Sequence, residues 1–129
     1  MSEVLCSEEI QPLVEKLVAA FPENLSEVDP TRIVYVRKDA KRARRPVEIA
    51  SVGTPYNLLI PHKFIVTIQA AKYDKIDDNR KAIALFDELL RIKDFEDGKL
   101  GGYTVISNYE TVIKFGPDWM EAEETTNIF

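Results

Sequence analysis

Apolar positions recur at spacings of three and four along the first stretch of the chain. Between Glu8 and Phe21, the residues Ile10, Leu13, Val14, Leu17, Val18 and Phe21 share one helical face. Ser7 is placed to cap this helix, and Pro12 puts the start of its regular part nearer Gln11. Pro22 and Asn24 end the pattern. Beyond Asp29-Pro30, the run Arg32-Ile33-Val34-Tyr35-Val36-Arg37 is β-branched and aromatic and predicts a strand. A weaker strand is expected over Pro46 to Val52, with a turn at Gly53-Thr54-Pro55, and the clearest strand runs from Lys63 to Gln69. The strongest helix follows, from Asp77 to Ile92. Ala82, Ile83, Phe86, Leu89 and Leu90 form its stripe, and Asp77 and Asp78 suit its positive end. Lys93 to Gly102 reads as a loop. A third helix is expected over Asn108 to Phe115, closed by Gly116-Pro117, and residues 120–129 read as a loose acidic tail. This order predicts an α+β fold: an N-terminal helix, a sheet of about three strands, a central helix and a C-terminal helix.

Composition narrows the picture. A chain of 129 residues has room for one domain with one core, here 1–129. With 45% hydrophobic and 30% charged residues, general disorder and collagen-like structure are excluded. No apolar run approaches the roughly 20 residues that cross a bilayer. The start, Met1-Ser2-Glu3-Val4, lacks the basic and apolar regions of a signal peptide. A single cysteine, Cys6, makes no internal disulfide, so the cytoplasm is the expected compartment. The net charge of -5 opposes general binding to a phosphate backbone. One histidine, His62, excludes any site with two histidine ligands within the chain. Catalysis would have to run on carboxylates, tyrosines, basic groups or His62.

From Arg32 to Trp119 the order and spacing of segments carry a resemblance. Arg32 to Arg37 is followed by an Arg-rich stretch and the strand Phe64 to Ile68. Then come Lys72-Tyr73-Asp74-Lys75-Ile76, Phe86-Asp87-Glu88-Leu89-Leu90-Arg91-Ile92, Phe95-Glu96-Asp97-Gly98-Lys99-Leu100 and Gly116-Pro117-Asp118-Trp119. In these the chain resembles the putative phage metallopeptidase family, a small zincin-like group from phages and prophages. The resemblance implies His-Glu-Leu-Leu-His on the central helix, two histidines gripping zinc and a glutamate activating its water. This chain departs there, reading Asp87-Glu88-Leu89-Leu90-Arg91. The family's third histidine falls at Tyr103 by count from Asp118-Trp119. Only Glu88, the base, remains. Arg91 opposes a cation one turn from Asp87, and Asp87 before Arg91 at i, i+4 is an order that supports a helix. An Asp87–Arg91 ion pair is therefore expected in the former metal site, with no zinc or other cofactor bound.

A second feature is the basic cluster Arg37, Lys38, Lys41, Arg42, Arg44 and Arg45, six of the chain's 17 basic residues within nine positions. It reads either as a solvated loop or as a docking patch for nucleic acid or an acidic protein. No aromatic interleaves it, so contact with nucleic acid would be with phosphates. His62 reads as a loop histidine, and Cys6 as inert. Gly98, Gly101 and Gly102 lack the ending of a phosphate loop. The leading expectation is a pseudoenzyme that acts by binding a macromolecular partner, above all a protein, through the basic loop, the Gly98 to Tyr103 segment or the acidic tail. Two rivals stand beside it. One is a metallohydrolase using Asp87, Glu88 and a carboxylate from Asp94 to Asp97 around magnesium, manganese or calcium. The other is a nucleic-acid-binding module built on the basic loop.

Overall fold

The computed structural model describes residues 3–39, 44–101, 111, 114–115, 119–120 and 127–129. The first apolar stripe becomes helix α1 (Ser7–Ala20), with Ile10, Val14 and Leu17 buried. Ser7 is its first residue rather than its cap; the Cys6 carbonyl takes the N–H groups of Glu9 and Ile10 instead. Nor does Pro12 delay the start to Gln11. Its ring and the Glu8 carbonyl one turn back both lie on the solvated face, where water can replace the missing bond.

The expected strands are β2 (Ile33–Lys38), β3 (Val47–Ser51) and β4 (Phe64–Gln69). A fourth, β1 (Glu3–Leu5), raises the sheet from the expected three strands to four, in the order β1-β2-β4-β3. It has too few residues to show an alternation. The two central strands run parallel, and each outer strand is antiparallel to its neighbour. Ile33, Tyr35, Val47, Ile49, Phe64, Val66 and Ile68 share the inner face, and all are buried. Short helices α2 (Tyr56–Leu59) and α3 (Ala70–Tyr73) flank β4.

The central helix is α4 (Asp78–Leu89), opened by the Asp77 side chain, which accepts the Arg80 N–H at 2.8 Å. It stops three residues before the expected Ile92, which starts a hairpin of β5 (Ile92–Asp94) and β6 (Lys99–Leu100). Gly98, at φ 65, makes the turn that the sequence presents only as a flexible loop. Every residue of α4 from Ala82 to Leu89 is buried. Phe86 meets Phe21 at 4.7 Å and Phe115 at 6.1 Å between ring centroids, joining α1, α4 and the C-terminal region. Of the expected third helix, Thr111, Lys114 and Phe115 are described and helical. Of the expected tail, residues 121–126 lie outside the described residues. Ile128 beyond them is buried, and its N–H reaches the Asn79 side chain at 2.8 Å.

The two edges of the sheet differ in how their outward groups are met. On β3, Pro46 and Val52 bond to Gln69 and Lys63 of the neighbouring strand, so the alternate residues Val47, Ile49 and Ser51 turn their N–H and C=O groups away from β4. On β1, Cys6 donates to Tyr35, so Val4 faces β2 while Glu3 and Leu5 turn outwards.

Candidate functional site

The motif starts on the last turn of α4 and runs two residues past its end, and its two carboxylates are enclosed. Asp87 and Glu88 are each only 2% exposed. Asp87 accepts a hydrogen bond from the Thr111 hydroxyl at 2.7 Å. Glu88 reaches sideways to the sheet edge, where its Oε1 accepts the outward N–H of Ile49 at 3.1 Å. Burial pushes its carboxyl up to about 7 from an ordinary 4.5. The Ile49 N–H and Arg91 pull the other way without restoring it, and Asp87 adds to the rise.

Arg91 does not pair with Asp87 as the sequence predicts. Its Nη1 lies 3.4 Å from Glu88 Oε1, and its Nε donates to the Gly101 carbonyl at 2.9 Å. The reason is where the helix ends. Regular α-structure stops at Leu89, and the Arg91 N–H bonds back three residues to Glu88 rather than four to Asp87. The tighter turn lines Arg91 up with Glu88. Tyr103 lies outside the described residues.

These residues do not fit zinc. A fixed guanidinium sits on the one carboxylate that the family would use as base, and the other carboxylate is bonded to a hydroxyl. Among the described residues, no three histidine, cysteine or acidic side chains gather where they could hold a metal ion. Asp94, a candidate for a carboxylate site, instead accepts the Asp97 N–H at 3.0 Å. The space beside Asp87 and Glu88 is a cavity of about 20 Å³ bounded by Arg45, Val47, Ala84 and Trp119, room for about one water. The larger grooves, of about 440 and 480 Å³, lie elsewhere, against Arg37 and Asp74 and against Lys16 and Phe129.

The basic cluster is divided. Arg37 bonds Glu9 at 2.6 Å and Asp74 at 2.9 Å, and Lys38 lies 3.7 Å from Glu3. Arg44 is exposed, and Arg45 is half-buried beside the Glu88 cavity. Lys41 and Arg42 lie outside the described residues. His62 is half-buried at the start of β4. Cys6 is buried, and burial raises its thiol above the ordinary value.

One surface escapes the sequence reading altogether. After the turn at Gly53-Thr54-Pro55, α2 projects Tyr56, Leu58 and Leu59 into solvent at 64%, 79% and 73% exposure, and Ile60 follows at 39%. Its sequence signal is faint: three consecutive aliphatic residues that belong to no helical or strand period. Among the described residues no helix is long and apolar enough to cross a membrane.

No curated protein and no solved structure matches the chain. A family model does, the one described as putative phage metallopeptidase, over residues 2–126. That is nearly the whole sequence, including the segment where Asp87 and Arg91 stand in place of histidines. The chain therefore belongs to the putative phage metallopeptidase family, as a member without the histidines of its zinc motif.

Proposed function

We propose that this chain is a non-catalytic member of its family and acts by binding another protein. The observation that carries the first half is the position of Glu88. A general base must reach the proton it abstracts, whereas this carboxylate is buried and holds a backbone N–H of β3 and the Arg91 guanidinium. The second half draws on α2, where Tyr56, Leu58 and Leu59 stand together in solvent. Contiguous exposed apolar residues of this kind mark interaction sites. The nucleic-acid reading draws less support, because Arg37 and Lys38 carry carboxylate partners.

Metal content by elemental mass spectrometry, after loading with zinc and manganese and removing the excess, tests the first half. The expected result is no stoichiometric metal. A stoichiometric metal that disappears on Asp87→Ala overturns it. For the second half, a protein recovered from host cells by the native chain should be lost with Leu58→Ser plus Leu59→Ser. Recovery that is indifferent to this double change removes α2 as the contact surface.

A further inference from the structure

Among the described residues, strand β1 has no neighbour along its outer edge. Glu3 and Leu5 turn their N–H and C=O groups away from β2, and no described residue takes them. Val4 is 54% and Leu5 76% exposed, on opposite faces of the strand. Edges that stay in water are usually blunted by proline, charge, a bulge or brevity. Of these, β1 has brevity and the charge of Glu3, which Lys38 faces at 3.7 Å.

We propose that this edge pairs with a second copy of the chain, β1 antiparallel to β1, so that two four-stranded sheets become one. The pairing is set by the atoms that face outward. With the twofold axis at Val4, Glu3 of each copy stands opposite Leu5 of the other, and each such pair exchanges both of its N–H···O bonds. Val4 then faces its counterpart in the closer, non-hydrogen-bonded position, with Cα atoms about 4.5 Å apart.

The competing symmetric registers fail. Centring on Glu3 places two carboxylates directly opposite, which is destabilising. Centring on Leu5 runs Glu3 past the end of the partner strand, which stops at Leu5. In the favoured register, each Glu3 keeps Lys38 on its own side at 3.7 Å and meets leucine across the axis. Arg37, beside Val4 on the inner face, is already neutralised by Glu9 and Asp74. The two copies of Arg37 lie three strand spacings apart, about 14 Å. A copy of the same chain thus supplies donors, acceptors and apolar side chains where each is needed, and brings no like charges face to face. Three residues a side fall well short of the roughly 800 Å² per partner of a standard interface. The association is therefore weak, in the micromolar to millimolar range.

Sedimentation equilibrium on the whole untagged chain, from about 10 µM to 1 mM, reads this directly. The expected result is a reversible monomer–dimer equilibrium. Leu5→Pro deletes an outward N–H without touching the Cys6–Tyr35 bond, and should weaken the dimer about tenfold or more. Val4→Glu and Val4→Lys should each do the same by placing like charges across the axis, while their equimolar mixture restores a dimer. Circular dichroism of each variant confirms that it is folded. A native chain that stays monomeric throughout, a dimer indifferent to Leu5→Pro, or two charge variants that fail to restore association overturns the proposal. Because β1 and α2 are separate surfaces, none of these results depends on whether α2 binds another protein.

Discussion

The two edges of one sheet solve the same problem in opposite ways. At β3 one outward backbone group, the Ile49 N–H, is met within the chain by Glu88, and nearby the Ser51 side-chain hydroxyl donates to the Gly98 carbonyl at 2.6 Å. At β1 the outward groups of Glu3 and Leu5 have no partner among the described residues. The closed edge lies where the family places its chemistry, and the open edge lies far across the sheet. A buried carboxylate closing an edge makes that edge structural. On the proposed reading the same side chain is a structural group and no base, since freeing it would leave a buried backbone donor unmet.

Matched substitutions can break this contrast. The largest effect is expected from Ile49→Pro, which removes the N–H held by Glu88 without touching the bonds to β4. The loss, about 3–5 kcal/mol by urea unfolding, combines a stranded buried carboxylate with a smaller buried side chain. A cost under about 1 kcal/mol would mean that this bond does not close the edge.

Next is the pH dependence of Glu88. Its carboxyl titrates near 7 in the folded chain and near 4.5 when unperturbed, so between those values the folded state holds a proton that the unfolded state has released. Stability contributed by this group therefore falls as pH rises through that window, by about 3 kcal/mol in all. Glu88→Gln does not titrate. Its stability relative to the native chain should climb from no gain near pH 4.5 to about 3 kcal/mol in its favour at about pH 8. A difference that stays flat with pH would remove the buried titration.

Thr111→Val, which takes the hydroxyl from Asp87, should cost about 1–2 kcal/mol in the same unfolding measurement. The smallest effect belongs to the open edge. Leu5→Pro should change monomer stability by less than about 1 kcal/mol in dilute calorimetry, the counterpart to Ile49→Pro on the closed side.

Much of the fold was legible because long periods announce themselves. The stripe of α1 and the β-branched runs of β2 and β4 each fix an element within a residue or two, and even the weaker strand expected over Pro46 to Val52 falls on β3. Short pieces were not. Glu3–Leu5 becomes a strand because Lys38, Arg37 and Val36 lie beside it, a fact about distant residues. The β5–β6 hairpin turns on Gly98 within a stretch whose glycines signal only flexibility. At the motif, the missing histidines were plain from the chain itself. The partner of Arg91 was not, because it depends on α4 ending at Leu89, and no glycine or proline marks that end. The exposure of Leu58 and Leu59 was likewise hidden, since an isolated apolar run reads the same whether it is covered or bare.

The interlock around α4 also constrains how this sequence can change. Asp87→His alone would drop the bond to Thr111 and press an imidazole against a cavity of about 20 Å³. Arg91→His alone would release both Glu88 and the Gly101 carbonyl. Each single step towards a histidine pair therefore costs a buried contact before the second histidine is present. On the proposed reading this interlock acts as a ratchet, holding the chain away from the motif against one substitution at a time.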